Sequence, residues 1–327
     1  MAARSEEFNN LKIHTQYSIC EGAIKIDDLA NYCKTNKIKA IGLADSFNLC
    51  GALEFAEKIG KVGTQPIIGT QINLLAEHQL GKITLYATSE KGYKNLTKLS
   101  SSSYLKDKSS SDPFCEIEDL IKNNEDLILV TGSYNNFFGK LFYSNKLKLF
   151  EKVINKLKLS FVERLYIEIQ RHGEKQETDY EQYLLKISSS YDLPIIAGQE
   201  VFYLSSEMAE AHDALICIGE KKFLDDKNRF RYNDQHYIKK SEDIKKLYKD
   251  IPEALENNYN FPLRFNFKPK KSKPILPSIS NNQNISPEKE LMSQAKLGLE
   301  GRLENFILKK NKNKLSDEIK KIYEDRL

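Results

Sequence analysis

The chain has 327 residues, 40% of them apolar, which is length for about two domains and enough apolar content to exclude a disordered polymer. Its 50 Lys and Arg against 46 Asp and Glu leave a net charge of +4, too small to argue for nucleic-acid or membrane binding from the total. The charge is uneven: residues 264–327 carry 15 basic and 8 acidic side chains, net +7, so residues 1–263 stand at −3.

The polar start, Met1-Ala-Ala-Arg-Ser-Glu-Glu, predicts no signal peptide. Short apolar, β-branched runs then predict strands over residues 11–14, 40–45, 66–74, 82–88, 127–132, 165–170 and 194–199. Helices are expected between them, over residues 26–37, 50–62, 90–101, 116–123, 139–158, 176–191 and 205–218. In the second helix Leu49, Leu53, Ala56 and Ile59 fall on one face, and Asp27-Asp28 and Ser89-Glu90 mark helix starts. Residues 101–111 read as a serine-rich, solvated loop. Residues 219–263 read as polar and helical. Pro262, Pro269, Pro274, Pro277 and Pro287 then mark an extended arm. Ser286-Pro287-Glu288 starts a last helix with a stripe of Leu291, Ala295, Leu299 and Leu303.

Seven strands alternating with helices predict a parallel sheet, because parallel neighbours need crossovers. The first strand is followed by no Gly-x-Gly-x-x-Gly and the chain has no Walker motif, so a closed barrel is favoured over an open nucleotide-binding sheet. No run approaches the roughly 18 apolar residues of a membrane span. Cys20, Cys33, Cys50, Cys115 and Cys217 are scattered and fit buried thiols in a reducing cytoplasm.

Barrels of this kind present functional side chains at the C-terminal ends of their strands. Those ends carry His14, Glu21, Asp45, His172 and Glu200, groups able to hold a divalent metal or move protons. As structural residues, His14 and His172 read as hydrogen-bonded rim histidines and Asp45 as a turn or helix cap. His78, His212 and His236 read as ordinary polar residues off the rim, and the aromatic residues as core. Lys268, Lys270, Lys271 and Lys273 read as a solvated run, or as candidate contacts to DNA phosphates.

The segments Leu11-Lys-Ile-His-Thr-Gln-Tyr-Ser, Gly22-Ala-Ile-Lys-Ile-Asp-Asp-Leu, Ala40-Ile-Gly-Leu-Ala-Asp-Ser-Phe-Asn-Leu-Cys-Gly-Ala-Leu-Glu-Phe, Gln65-Pro-Ile-Ile-Gly and Gly92-Tyr-Lys-Asn-Leu carry a resemblance. Ile251-Pro-Glu-Ala-Leu-Glu-Asn and Gly298-Leu-Glu-Gly-Arg-Leu continue it. Together, collinear from about residue 8 onward, they resemble the N-terminal part of bacterial DNA polymerase III alpha subunits. That part begins with a polymerase-and-histidinol-phosphatase (PHP) domain. The resemblance implies a distorted seven-stranded (β/α) barrel of PHP type, followed by a helical start of the polymerase body. It sets residues 1–280 as the PHP domain, with the barrel over about 8–218 and a polar helical extension and Pro-rich arm to 280. Residues 281–327 would be the truncated start of the palm region.

The resemblance implies that, in family members that keep the site, the PHP domain binds a metal cluster and can hydrolyse phosphodiesters. Carried over one position at a time, the first His of the opening pair is Lys12 and its second is His14. The next acidic ligand matches Glu21. Ser46, Gln71 and Lys82 stand where a His, a Glu and a His are expected. His172 matches a retained ligand, and the closing Asp-x-His is Glu200-Val201-Phe202. Lys12, Ser46, Gln71, Lys82 and Phe202 cannot serve as ordinary ligands, and the two lysines repel cations and can pair with Glu21 or Glu200 instead. The expectation is therefore a degenerate metal site with no cofactor, and Mg²⁺ only in the parent polymerase. The alternative is a weak divalent site of His14, Glu21, His172 and Glu200 with residual phosphoesterase or 3′-5′ exonuclease activity. The family's palm motifs, Gly-Arg-Gly-Ser and Asp-x-Asp, are not found, so the chain reads as a fragment. The implied role is structural: stabilising the polymerase and docking the proofreading exonuclease subunit. The rest of the holoenzyme, and primed DNA for the parent, are further partners; no membrane is implied.

Overall fold

The computed structural model describes residues 7–105, 112–274, 285–308 and 316–326. They belong to two compact units, Met1–Lys271 and Ser272–Leu327. The first unit begins with β1 (Lys12–Ile13), α1 (Ile26–Asn36), β2 (Ala40–Ser46), α2 (Ala52–Lys61), β3 (Gln65–Ala76) and β4 (Gln79–Ala87). Next come α3 (Glu90–Ser103), β5 (Phe114–Glu116), α4 (Ile117–Lys122), β6 (Leu127–Val130), α5 (Phe137–Tyr143) and α6 (Leu147–Phe161). The remainder is β7 (Leu165–Gln170), α7 (Lys175–Tyr191), β8 (Ile195–Gly198), β9 (Glu200–Val201), α8 (Ala209–Glu220), α9 (Ser241–Leu247) and α10 (Pro252–Asn260). All seven expected strands are present, with the short β5 and β9 added.

The sheet order is β8-β7-β6-β4-β3-β2-β1-β9, with β5 beside β3. Its two outermost strands, β8 and β9, are separated in sequence by Gln199 alone, so the sheet curls into a nearly closed barrel. The expectation of a parallel sheet is corrected at one strand: β4 runs antiparallel to both β3 and β6. Only Glu77 and His78 join β3 to β4, with φ of 43° and 64°. Two residues cannot make a crossover, and paired positive φ values match the twist of a hairpin. The single helix expected over residues 139–158 is two, α5 and α6, because Asn145 adopts a left-handed φ of 54°. Of residues 219–263, the helical parts are the last two residues of α8, then α9, α10 and a short 3₁₀ turn, Phe261–Arg264; after α8 a long irregular segment folds over the barrel mouth.

Strand alternation separates two apolar layers. Ile41, Leu43 and Ile68 face outward onto Leu29 of α1 and Phe55 and Ile59 of α2. The buried face of α2 is thus Ala52, Phe55, Ala56 and Ile59, one step round from the stripe expected. Ser89 caps α3 as expected, its side chain accepting from the Gly92 amide at 3.1 Å. Tyr86, Ile128, Tyr166 and Ile196 pack with Phe261 and Phe265, which follow α10. Phe261 meets Tyr86 and Tyr166 edge-on, with centroids 5.6 and 5.4 Å apart. Gln65 fixes this plug by donating its amide to the Pro262 and Phe265 carbonyls, both at 3.0 Å. Each such buried aromatic contributes about 1.5–3 kcal/mol. Asn258, fully buried, accepts from the Asn9 amide at 2.8 Å and donates to the Asn9 and Ala197 carbonyls at 3.0 Å, which clasps the chain start to the barrel.

All five cysteines are free; Cys33, Cys115 and Cys217 are buried as expected, but Cys50 is exposed and Cys20 half-buried. In the second unit α11 (Pro287–Arg302) and α12 (Asp317–Glu324) are helical, and Ser286 caps α11 by accepting from the Lys289 amide at 3.4 Å. Leu291 of the expected stripe is exposed. The expected boundary near residue 280 lies outside the described residues, as does most of the 101–111 loop. Among the described residues no helix is long and apolar enough to cross a membrane.

Candidate functional site

Alternation along β7 turns Tyr166, Glu168 and Gln170 to the same face, where Glu168 meets Lys12 from β1 across the barrel interior. The Lys12 ammonium stands 2.5 Å from Glu168 Oε2, with the two side chains 1% and 4% exposed. Gly198 of β8 makes the room: a Cβ there would lie 2.1 Å from Glu168 Oε1. A second ion pair sits nearer the mouth. The Lys82 ammonium is 2.5 Å from Glu21 Oε1 and 3.1 Å from Ser46 Oγ, and Ser46 also donates to the other Glu21 oxygen. Lys82 lies 5.2 Å from the centre of the Phe47 ring, a cation–π contact.

Glu200 is the hub between these pairs. Its Oε1 accepts from the Gln71 amide at 2.6 Å and from His14 Nε2 at 3.2 Å. Burial pushes the Glu200 carboxyl up, but Lys12, His14 and Lys82 outweigh it and hold the group well below the usual carboxylate range. Glu21 is lowered too: burial opposes, and the Lys82 charge prevails with help from His14 and Ser46. Asp45 binds the turn after β1, as the sequence suggests. It accepts from the Thr15 amide at 2.6 Å, the Thr15 hydroxyl at 2.8 Å and the Ser18 hydroxyl at 2.7 Å. Burial still pushes its carboxyl up.

The four retained ligand candidates, His14, Glu21, His172 and Glu200, do converge, but each is engaged. His14 lies against Phe202 at 4.6 Å between ring centroids and touches Ser18 Oγ at 3.3 Å. His172 Nε2 accepts from the Glu200 backbone amide at 3.2 Å, which places its proton on Nδ1, 3.2 Å from Glu177. Phe202, where a ligand His is expected, packs between His14 and His212.

Two residues expected off the rim belong to the site. His236 stacks on His172 at 4.1 Å and donates from Nδ1 to the Glu200 carbonyl at 3.0 Å. Burial, and then the neighbouring His172, push its imidazole down to about 2. His212 donates to the Glu21 carbonyl at 2.8 Å and is also lowered by burial. Both arrive on chain beyond β9, whose course periodicity cannot trace. His78 is exposed in the β3–β4 turn, as expected. Lys12 pairs with Glu168 rather than with the Glu21 or Glu200 expected, and Glu168 was itself legible: a lone acid inside Leu-Tyr-Ile-Glu-Ile-Gln. Of the basic run, Lys271 pairs with Glu57 at 2.9 Å, and Lys268, Lys270 and Lys273 are exposed.

The donor set does not fit a metal cluster. Two ammonium groups lie among the carboxylates, the imidazoles of His172, His212 and His236 use ring nitrogens on protein partners, and Glu200 Oε1 already accepts two hydrogen bonds. Among the described residues no group of three or more His, Cys, Asp or Glu side chains is arranged to hold an ion.

A family model described as PHP domain matches residues 10–172. The DNA polymerase III subunit alpha of Caulobacter vibrioides is 33% identical over 314 residues, 94% of this chain and 28% of the relative. That of Vibrio cholerae is 30% identical over 302 residues, 91% of this chain and 26% of the relative. The chain therefore spans about a quarter of the length of these relatives. Among solved structures, a protein from Bifidobacterium adolescentis described as a metal-dependent phosphoesterase aligns with a TM-score of 0.41 and 12% identity, covering 61% of this chain and 88% of that one.

Proposed function

Because the chain belongs to the PHP-domain family, in the form found in the N-terminal part of DNA polymerase III alpha subunits, we propose that it is a structural PHP module. In this reading two lysines stand in for the metal centre. The observation that carries it is the pair of ion pairs, Lys12–Glu168 and Lys82–Glu21, inside the barrel mouth. A protein ammonium supplies the positive charge that a divalent ion would otherwise bring to buried carboxylates. The module then needs no cofactor to close its barrel.

Its place is within a cytoplasmic replicase. There it stabilises a polymerase that extends primed DNA with Mg²⁺ in its own palm site, and it docks the proofreading exonuclease subunit. The rival activity, metal-dependent phosphodiester hydrolysis or 3′-5′ exonuclease action through His14, Glu21, His172 and Glu200, would require breaking contacts that each of these residues already makes. The lysine run Lys268, Lys270, Lys271 and Lys273 is a weaker candidate for DNA phosphates, since Lys271 is already paired.

Metal analysis of the purified chain, with hydrolysis of a phosphodiester ester in Zn²⁺, Mn²⁺ and Mg²⁺, tests the central claim. The expected result is substoichiometric metal and no turnover. One equivalent of tightly held zinc or manganese, or turnover lost in His14→Ala and His172→Ala, would refute it. Co-elution with the exonuclease subunit in gel filtration tests the docking role separately.

A further inference from the structure

The barrel mouth opens into a cleft of about 330 Å³, within the range of small-molecule sites. The ion-pair lattice leaves part of its lining unused. Gln170, 6% exposed, has neither amide oxygen nor amide nitrogen partnered, and Asn136, 4% exposed, has an unpartnered Nδ2. Buried amide groups without partners cost free energy and call for an explanation. His236, its Nδ1 given to the Glu200 carbonyl, keeps Nε2 as an acceptor in the same lining. Lys140 and Arg231 bring exposed cations that make no ion pair among the described residues, and Phe230 is 42% exposed beside Tyr232. Carboxylates line the cleft as well: Glu177 is spent on backbone amides, Glu174 on the α7 capping box and Glu200 on His14 and Gln71, while Asp112 is exposed at its edge and opposes the two cations.

We propose that this cleft binds a mononucleotide without metal, its phosphate on Lys140 and Arg231, its base on Phe230, and its base edge on Gln170 and Asn136. An inorganic phosphate presents chiefly acceptors and has no use for the acceptor atoms of Gln170 and His236. A base edge carries donors and acceptors together, and a carboxamide matches such an edge in both senses. An exposed aromatic supplies the stacking face that every base can use. The inference rests on the metal-free reading of the centre, since a bound cluster would occupy the inner wall of the same cleft.

The test is calorimetric titration of the whole chain in EDTA with dAMP, deoxyadenosine and inorganic phosphate, with metal content measured on the same preparation. The expected order is dAMP tightest, at least tenfold tighter than phosphate. Phe230→Ala should weaken dAMP about tenfold and leave phosphate unchanged. Lys140→Glu should weaken both anions and flatten their salt dependence. Phe230 and Lys140 are exposed, so neither variant threatens folding; Gln170→Leu is the third, read only where its thermal melt matches the parent. Absence of saturable dAMP binding in metal-free protein overturns this inference and leaves the structural reading standing. Phosphate binding as tight as dAMP, or indifference of dAMP to Phe230→Ala, overturns it equally. Stoichiometric metal would overturn the structural reading, and the inference with it.

Discussion

Removing the Lys12 ammonium should expose how much of the barrel depends on it. Lys12→Met keeps the length of the side chain and deletes only the charge, leaving Glu168 4% exposed with no cation in contact. The carboxylate cannot turn aside, because it already fills the space that a Cβ at Gly198 would need. Breaking a buried pair in this way costs about 3–5 kcal/mol, a large share of the roughly 5–15 kcal/mol that holds a domain folded. At about 2–4 °C per kcal/mol for a domain of this size, the thermal midpoint should fall by about 6–20 °C. Lys12→Met with Glu168→Leu removes both charges and should regain most of that loss, since buried pairs often exchange for apolar groups at little net cost. Urea unfolding followed by circular dichroism, run as a double-mutant cycle, gives the coupling directly. A single variant within 1 kcal/mol of the parent, or a double variant no better than the single, would refute the claim that this pair is a sealed charge system.

Three further outcomes follow from the same geometry. Gly198→Ala should cost about 1–3 kcal/mol by overpacking, read by chemical unfolding, because its Cβ would lie 2.7 Å from the Glu168 carboxyl carbon. Asn258→Ala strips partners from the Asn9 amide and from the Asn9 and Ala197 carbonyls; a loss of at least about 2 kcal/mol and faster amide exchange at Asn9 are expected. Stability should also fall with acid in two stages. His236 has a folded value of about 2 against 6.5, so its contribution is complete above pH 6.5. It declines below that as the unfolded chain takes up the proton, by at most about 1.4 kcal/mol per pH unit. Glu200 and Glu21, lowered in the fold, add a second decline beginning near their ordinary value of 4.5. Urea midpoints that stay level from pH 7 to 5, or an unchanged profile in His236→Asn, would contradict this assignment.

The barrel was legible because its signals are local. Apolar runs bounded by turn residues mark β2, β3, β6, β7 and β8 within a few residues, and Ser89 and Ser286 announce helices that begin where their side chains find an amide. The direction of β4 was not read, although its length argument was available: too few residues separate the two expected strands for a crossover helix. Glu77 gave no warning of the turn, since glutamate does not favour the left-handed backbone that it and His78 adopt, although histidine is among the residue types enriched there. The break at Asn145 was hidden differently: asparagine readily takes the left-handed region, but the apolar period runs on from α5 into α6 while the backbone does not.

The site divides along a different line. Resemblance supplied the positions, and elementary electrostatics supplied their meaning: Lys12 and Lys82 cannot be ligands, so each needs an acid. Which acid was a question of depth in the barrel, and depth is written in the alternation of β7. Glu168 shares a face with Tyr166, whose ring packs on Phe261, and with Gln170, whose amide lines the cleft. The strand thus passes from an apolar floor through an ion pair to a polar mouth in two-residue steps. Lys12 stands opposite Glu200 in the β1–β9 register, but its side chain extends across the interior to Glu168. Lys82, entering from β4 nearer the mouth, meets Glu21 on the loop after β1 instead. His212 and His236 complete the lattice from chain that follows β9, and only the closed barrel brings them there. Two lysine side chains thus supply positive charge among the acids and imidazoles gathered inside the barrel mouth.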